Sequence, residues 1–157
     1  VTGALFSTLI VPPIGIVAIN RATKGVFAPN PVPRGYLEQT RARQALRPVA
    51  FRHNAREVAA LSSWAKTASA NYRKIKAPTV IITGDTDKIV APEVHSRHLA
   101  RDIRGASLIV VHNLGHKSDF VASDLAIAAI ETVAGRKANL IGMKRDVERR
   151  IANDGKH

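Results

Sequence analysis

The sequence predicts an α/β protein in which a helical region precedes two parallel strands with flanking helices. Residues 79–83 and 107–111 are apolar, β-branched runs without polar alternation, the pattern of strands that are covered on both faces. A helix-compatible segment separates the two runs. A strand, helix and strand in this order form a right-handed crossover, so both strands are expected to end at the same edge of the sheet.

The first twenty residues carry no charged side chain, and a stretch of that length can span a bilayer. Pro12, Pro13 and Gly15 interrupt its middle, where proline removes a helical hydrogen bond. No basic region precedes the stretch, unlike a usual signal peptide. We therefore expect a buried or cap-forming segment rather than a membrane anchor, in a cytoplasmic protein.

Residues 21–76 have the composition of a proline-rich loop followed by helices. Three prolines in 27–33 exclude regular structure there, and residues 36–46 favour a helix that Pro48 ends. Asn54 and Glu57 have the spacing of a capping box, which predicts the start of another helix. Consecutive helices in this region predict a lid over a site in the rest of the chain.

The second half of the chain reads as the α/β core. Gly84-Asp85-Thr86-Asp87 predicts a turn, because glycine and aspartate favour turn geometry. Pro92 can occupy the first position of the next helix, and Gly105 can end it. The apolar stripe of this helix is predicted at Val94, Leu99 and Ile103.

Two further helices are predicted after the second strand. Ser123 can cap a helix over 124–134 that Gly135 ends, with these residues facing the sheet: Leu125, Ala128, Ala129, Ile130 and Val133. Leu140, Met143 and Val147 predict a short amphipathic helix that docks on the body or on a neighbour. Residues 153–157 are expected to be mobile.

The chemistry of the chain is predicted at the carboxyl ends of the two strands. Asp87 follows the first strand and His116 follows the second, so the two side chains can meet above the sheet edge. A carboxylate held against an imidazole fixes its tautomer and stabilises the imidazolium that forms when the ring accepts a proton. His112, at the end of the second strand, is expected to be a packed or hydrogen-bonding histidine.

The stretch APTVIITGDTDKIVAPE over 77–93, followed by GASLIVV over 105–111 and by Gly115-His116, closely resembles the C-terminal half of an α/β-hydrolase. The resemblance covers roughly residues 26–135. It implies that Asp87 is the triad acid, that His116 is the triad base, and that Asp85 matches a variable position. It also implies a cap between earlier strands and the acid-bearing strand, with four candidates for the substrate-pocket wall: Phe27, Tyr36, Leu61 and Trp64.

The family order places the nucleophile before the acid, and this sequence has no nucleophile motif. None of its serines lies in G-x-S-x-G, the oxyanion-hole loop is absent, and the chain has no cysteine. We therefore interpret the sequence as the C-terminal portion of a hydrolase of an ester or similar small substrate, inactive alone. Its expected partner is the N-terminal half of the hydrolase, or another copy of itself.

The predicted organisation is a cap over 1–76, an α/β-hydrolase core segment over 77–135 and a basic helix and tail over 136–157. No cofactor is implied, and His95 and His98 lack a third ligand for a metal site. The formal net charge of +12 favours anionic partners, but the aromatic content is 4%, so no specific nucleic-acid binding is expected. Two alternatives stay open: a non-catalytic binding or assembly module, and a basic protein associated with membranes or nucleic acid.

Overall fold

A computed structural model describes residues 8–154, in two compact units. Of these residues, 8–25 and 32–70 form a helical unit, whereas 26–31 and 71–154 form a unit built on a parallel sheet. Residues 1–7 of the uncharged N-terminal stretch lie outside the described residues, as do 155–157 of the tail that we expect to be mobile.

Helix α1 covers Val11–Phe27, beginning in the helical unit and ending in the sheet unit. Pro12 and Pro13 lie in its first turn, where backbone N–H groups have no intrahelical acceptor. The expected interruption is found at Ile10, a turn residue that separates residues 8 and 9 from α1, whereas Gly15 lies inside α1. Burial is wrong for much of this segment, since Ile14, Ile16 and Val17 are exposed. No helix among residues 8–154 is both long and apolar enough to cross a membrane.

The helical segment predicted over residues 36–46 is broken in two. Helix α2 covers Tyr36–Gln39, and a 3-10 turn covers Ala42–Leu46. Arg41 lies between them with a φ of 51°, a left-handed conformation that a continuous right-handed helix excludes.

Helix α3 covers Pro48–Ser69 and completes the helical unit. Pro48 occupies its first position, so it begins this helix rather than ending the one before. Asn54 and Glu57 lie inside α3, and the predicted capping box at these residues is wrong. The loop predicted over 27–33 begins one residue later, because Phe27 still belongs to α1.

The sheet unit contains two parallel strands. After a 3-10 turn at Tyr72–Lys74, β1 covers Val80–Gly84 and β2 covers Ser107–Val111. Val80 pairs with Ser107 and Gly84 with Val111, so the strands end in step at one edge. The predicted α/β class and parallel pairing are confirmed.

Helix α4 covers Ser96–Asp102 and contacts both strands. It begins four residues after Pro92, which lies in a turn, and the exposed Val94 is not part of its apolar face. Ile103 is buried as predicted. Gly105 has a φ of 80° and lies in the turn that leads into β2 rather than at the helix end.

Three helices complete the unit: α5 at Ser118–Val121, α6 at Ser123–Val133 and α7 at Leu140–Asp154. Leu125, Ala128 and Ala129 of α6 are buried as predicted. Ile130 and Val133 are exposed instead, along an apolar groove of about 390 Å³ that α6 forms with β1. They lie towards the end of α6, beyond the residues that the core encloses.

Helix α7 packs into the same core as the sheet. Val147 and Ile151 are buried with Val111, Leu114 and Leu125, and the contact area includes Leu140 and Met143 at its margin. The prediction of an amphipathic helix docked on the body is confirmed, although the helix is longer than predicted. Because α7 continues to Asp154, the expected mobility does not apply to residues 153 and 154.

We expect Ile151→Ala to lower the free energy of unfolding by about 3 kcal/mol, because it empties a packed position in the core. Ile151 is 4% exposed, whereas Ile141 of the same helix is 67% exposed. Ile141→Ala is therefore the matched control and should change stability by less than about 0.5 kcal/mol. Urea unfolding followed by circular dichroism measures both, and equal effects would contradict the docking of α7.

Candidate active site

The turn after β1 is held against the loop after β2. A side chain at Gly84 would overlap the carbonyl of Leu114, which explains why this position is glycine. The same Leu114 carbonyl oxygen accepts hydrogen bonds from the Thr86 N–H at 3.3 Å and the Thr86 hydroxyl at 2.8 Å. Thr86, which the sequence analysis did not single out, therefore joins the two strand ends.

Asp87 uses its two carboxylate oxygens differently. Oδ1 accepts hydrogen bonds from the backbone N–H groups of Ile89 at 2.8 Å and Val90 at 2.9 Å. This contact closes the turn and fixes the carboxylate plane. Oδ2 lies 3.0 Å from Nδ1 of His116. A turn-capping role and a role towards His116 are thus combined in one side chain.

The predicted meeting of Asp87 and His116 is confirmed. The Asp87 side chain is 9% exposed and the His116 side chain 34% exposed, so the pair is shielded but reachable. When Nδ1 carries the proton and donates to Asp87, Nε2 has a free lone pair. That arrangement is the one required of a general base.

The environment of Asp87 favours its charged form. Burial raises the pKa of the Asp87 carboxyl, but hydrogen bonds from the Val90 N–H, the His116 ring and the Ile89 N–H outweigh it. The pKa therefore lies below the usual aspartate value. Asp87 stays a carboxylate that can stabilise an imidazolium beside it.

The loop that carries His116 is anchored at successive residues. Asn113 has a φ of 56°, and its N–H donates to Oδ1 of Asp85 at 2.7 Å. The Asn113 carbonyl accepts from Nδ2 of Asn30 at 2.9 Å, and the Gly115 N–H donates to Oδ1 of Asn30 at 2.8 Å. Asn30 was missed by the sequence analysis, since its partners are 83 and 85 positions away.

A second carboxylate and imidazole pair lies at the same sheet edge. Nδ1 of His112 is 2.7 Å from Oδ2 of Asp85, and the His112 N–H donates to Oε1 of Glu148 at 2.8 Å. The expectation of a hydrogen-bonding His112 is confirmed. The His112 side chain is 80% exposed, so water competes for its ring contacts. Of the two pairs, Asp87 and His116 have the more enclosed and better fixed geometry.

The four predicted pocket-wall residues lie in both units. Phe27 is completely buried in the sheet unit, and its ring meets Phe120 edge to face at 6.2 Å. Tyr36, Leu61 and Trp64 belong to the helical unit, where Leu61 and Trp64 are exposed on α3. Phe27 thus has a packing role in the sheet unit, and a substrate-binding role for the four residues stays a prediction.

Within residues 8–154, no group of three histidine, cysteine, aspartate or glutamate side chains is placed to hold a metal ion. His95 precedes α4 and His98 lies within it.

Comparison of the sequence with protein-family models and with curated proteins finds no match.

Asp87 should make the free energy of unfolding depend on pH in the acidic range. Because its pKa is lowered in the folded state, its contribution is fully present above the usual aspartate pKa of about 3.9 and is lost as pH falls through the folded value. Asp87→Asn removes this dependence, so the stability difference between wild type and variant should shrink as pH falls. Urea unfolding at several pH values measures it, with the exposed Asp119→Asn as control. A difference that is independent of pH would contradict this assignment.

Gly115→Ala should lower the free energy of unfolding by roughly 1–3 kcal/mol. A Cβ at this position would meet the carbonyl oxygens of Phe27 and Ala28, so the loop or the segment must move. At Gly25, in α1, a Cβ meets nothing within 4 Å. Gly25→Ala is therefore the control and should be neutral or stabilising, as measured by thermal unfolding.

Proposed function

We propose that this chain is the acid and base portion of an α/β-hydrolase, acting on an ester or similar small substrate together with a nucleophile from another polypeptide segment. The observation that supports it is the contact between His116 Nδ1 and Asp87 Oδ2 at 3.0 Å, above the ends of two adjacent parallel strands. The order of the two residues along the chain and their positions after the strands agree with a triad acid followed by a triad histidine.

In the proposed reaction, Nε2 of His116 accepts the proton of an attacking hydroxyl while Nδ1–H donates to Asp87. The charge that develops on the ring is stabilised by the Asp87 carboxylate, which stays ionised. With a serine nucleophile, the proton then passes from Nε2 to the leaving alcohol, and a water hydrolyses the acyl-enzyme by the same route. With an aspartate nucleophile, His116 activates the water that cleaves the covalent ester.

The nucleophile must come from outside these 157 residues, because none of them forms a nucleophile elbow. The partner in this proposal is the N-terminal half of a hydrolase, and self-association is the second arrangement that we consider. The chain's net charge of +12 favours an acidic complementary surface on that partner.

A second candidate function is the binding of an anionic surface without catalysis. In the sheet unit, a groove of about 650 Å³ is lined by Ile75 and by one acidic and four basic side chains: Asp102, Arg73, Lys76, Arg101 and Arg104. Such a groove attracts phosphate-bearing partners. Binding to DNA or to anionic vesicles that weakens steeply with salt, without hydrolysis under any complementation, would favour this function.

The hydrolase proposal is tested by mixing the chain with a polypeptide that carries the strand, G-x-S-x-G turn and helix of the first half. We expect turnover of a p-nitrophenyl ester only in the mixture. His116→Ala and Asp87→Asn should each lower kcat by about 10³-fold to 10⁴-fold, because the base is lost or held in the wrong tautomer.

The second pair supplies matched controls for this experiment. His112→Ala and Asp85→Asn remove the same kinds of side chain at the same sheet edge, and each should change kcat by less than about tenfold. Equal losses from both pairs, or turnover that survives His116→Ala, would contradict the assignment of Asp87 and His116.

A further inference from the structure

The side chain of Asn30 hydrogen-bonds two backbone groups of the loop that leads into His116. Asn30 is 7% exposed, and its side chain makes two hydrogen bonds to the backbone, one to the Asn113 carbonyl and one from the Gly115 N–H. The two backbone groups lie two residues apart. A single amide therefore fixes the path of the loop on either side of Leu114.

The chemistry of this contact requires an amide. The Asn113 carbonyl needs a donor and the Gly115 N–H needs an acceptor, and asparagine supplies both from one planar group. Aspartate has nearly the same shape, but as a carboxylate it offers only acceptors and would leave the Asn113 carbonyl facing another oxygen. A buried polar group without a hydrogen-bond partner destabilises the folded chain.

The segment around Asn30 is itself held against the loop. Gly115 passes so close to the carbonyls of Phe27 and Ala28 that a side chain would not fit. Phe27 is completely buried and packs edge to face on Phe120, two residues after Ser118 at the start of α5. Residues 26–31 thus belong to the sheet unit although they precede it by forty residues along the chain.

We propose that Asn30 is a positioning residue that sets the orientation of the His116 ring towards Asp87. The contact with Asp87 fixes the ring from one side, through Nδ1. Asn30 fixes the backbone from the other side, at the residue immediately before His116. The effect of this role on catalysis rests on the proposed hydrolase function. The orientation of the His116 ring does not depend on that function and can be measured without it.

The test is NMR of the full chain with ¹⁵N-labelled histidine, which reads the tautomer of each imidazole and any downfield signal from Nδ1–H. His116→Ala identifies the signals of His116. We expect Asn30→Asp and Asn30→Ala to abolish the downfield signal and to lower the fraction of His116 protonated at Nδ1. In Asn30→Ala the Gly115 amide should exchange with solvent about tenfold faster, since its acceptor is lost.

Asn139→Ala is the matched control. The exposed side chain of Asn139 also accepts a hydrogen bond from a backbone N–H, that of Gly142 at the start of α7, so its removal takes away a contact of the same kind at another place. Asn139→Ala should leave the His116 signals unchanged. The signals of His98 on α4 should be unchanged in all three variants, the two at Asn30 and the one at Asn139. Asn30→Asp is the deciding variant where Asn30→Ala does not fold, because it preserves the volume of the side chain.

In the complemented enzyme, Asn30→Asp should lower kcat by about 10-fold to 100-fold at unchanged KM, as expected of a displaced base. Unchanged His116 signals in a folded Asn30→Asp chain would overturn the proposal whether or not the mixture hydrolyses esters. Failure of both Asn30 variants to fold would also overturn it, since Asn30 would then be required for folding in general. Altered His116 signals without ester turnover in any mixture would support the positioning role and count against the hydrolase function.

Discussion

The sheet unit depends on the meeting of two backbone segments at the carboxyl ends of β1 and β2. Because the strands are parallel and end in step, the turn after one and the loop after the other leave the sheet side by side. The Asp85 N–H donates to the Val111 carbonyl, and Thr86 bonds the Leu114 carbonyl twice. The glycine at position 84 is required because the two segments approach too closely for a side chain.

This backbone contact determines the geometry of both carboxylate and imidazole pairs. Aspartates two residues apart in the turn face histidines four residues apart in the loop. The pairs differ in their surroundings rather than in their chemistry. Asp87 is enclosed and its second oxygen closes the turn, so its position does not depend on His116; His112 stands in solvent, where an ion pair contributes little.

The segment at residues 26–31 adds the third constraint. It crosses from the helical part of the sequence to the sheet unit and contributes a buried phenylalanine and a buried amide to it. The loop before His116 is thus bonded to residues from two distant parts of the chain, Asn30 and Asp85. In the function that we propose, these contacts give the imidazole a fixed direction beside its carboxylate.

The sequence by itself determined the elements whose signals are local. The runs before Gly84 and after Ala106 are mostly apolar and lack polar alternation, so strands followed from them directly, and parallel pairing placed Asp87 near His116. The amphipathic pattern of α7 likewise predicted a docked helix. Prolines were ambiguous, because Pro12, Pro13 and Pro48 suit the first turn of a helix as well as a break.

Only the tertiary structure decided the contacts that join distant residues. Nothing near Asn30 in the sequence distinguishes it from other loop asparagines, since its two partners become neighbours only when the sheet unit has formed. The same holds for Thr86 and for the need for glycine at position 115. Periodicity reports which face of an element is apolar, whereas a hydrogen bond across more than eighty residues depends on where the whole chain has folded.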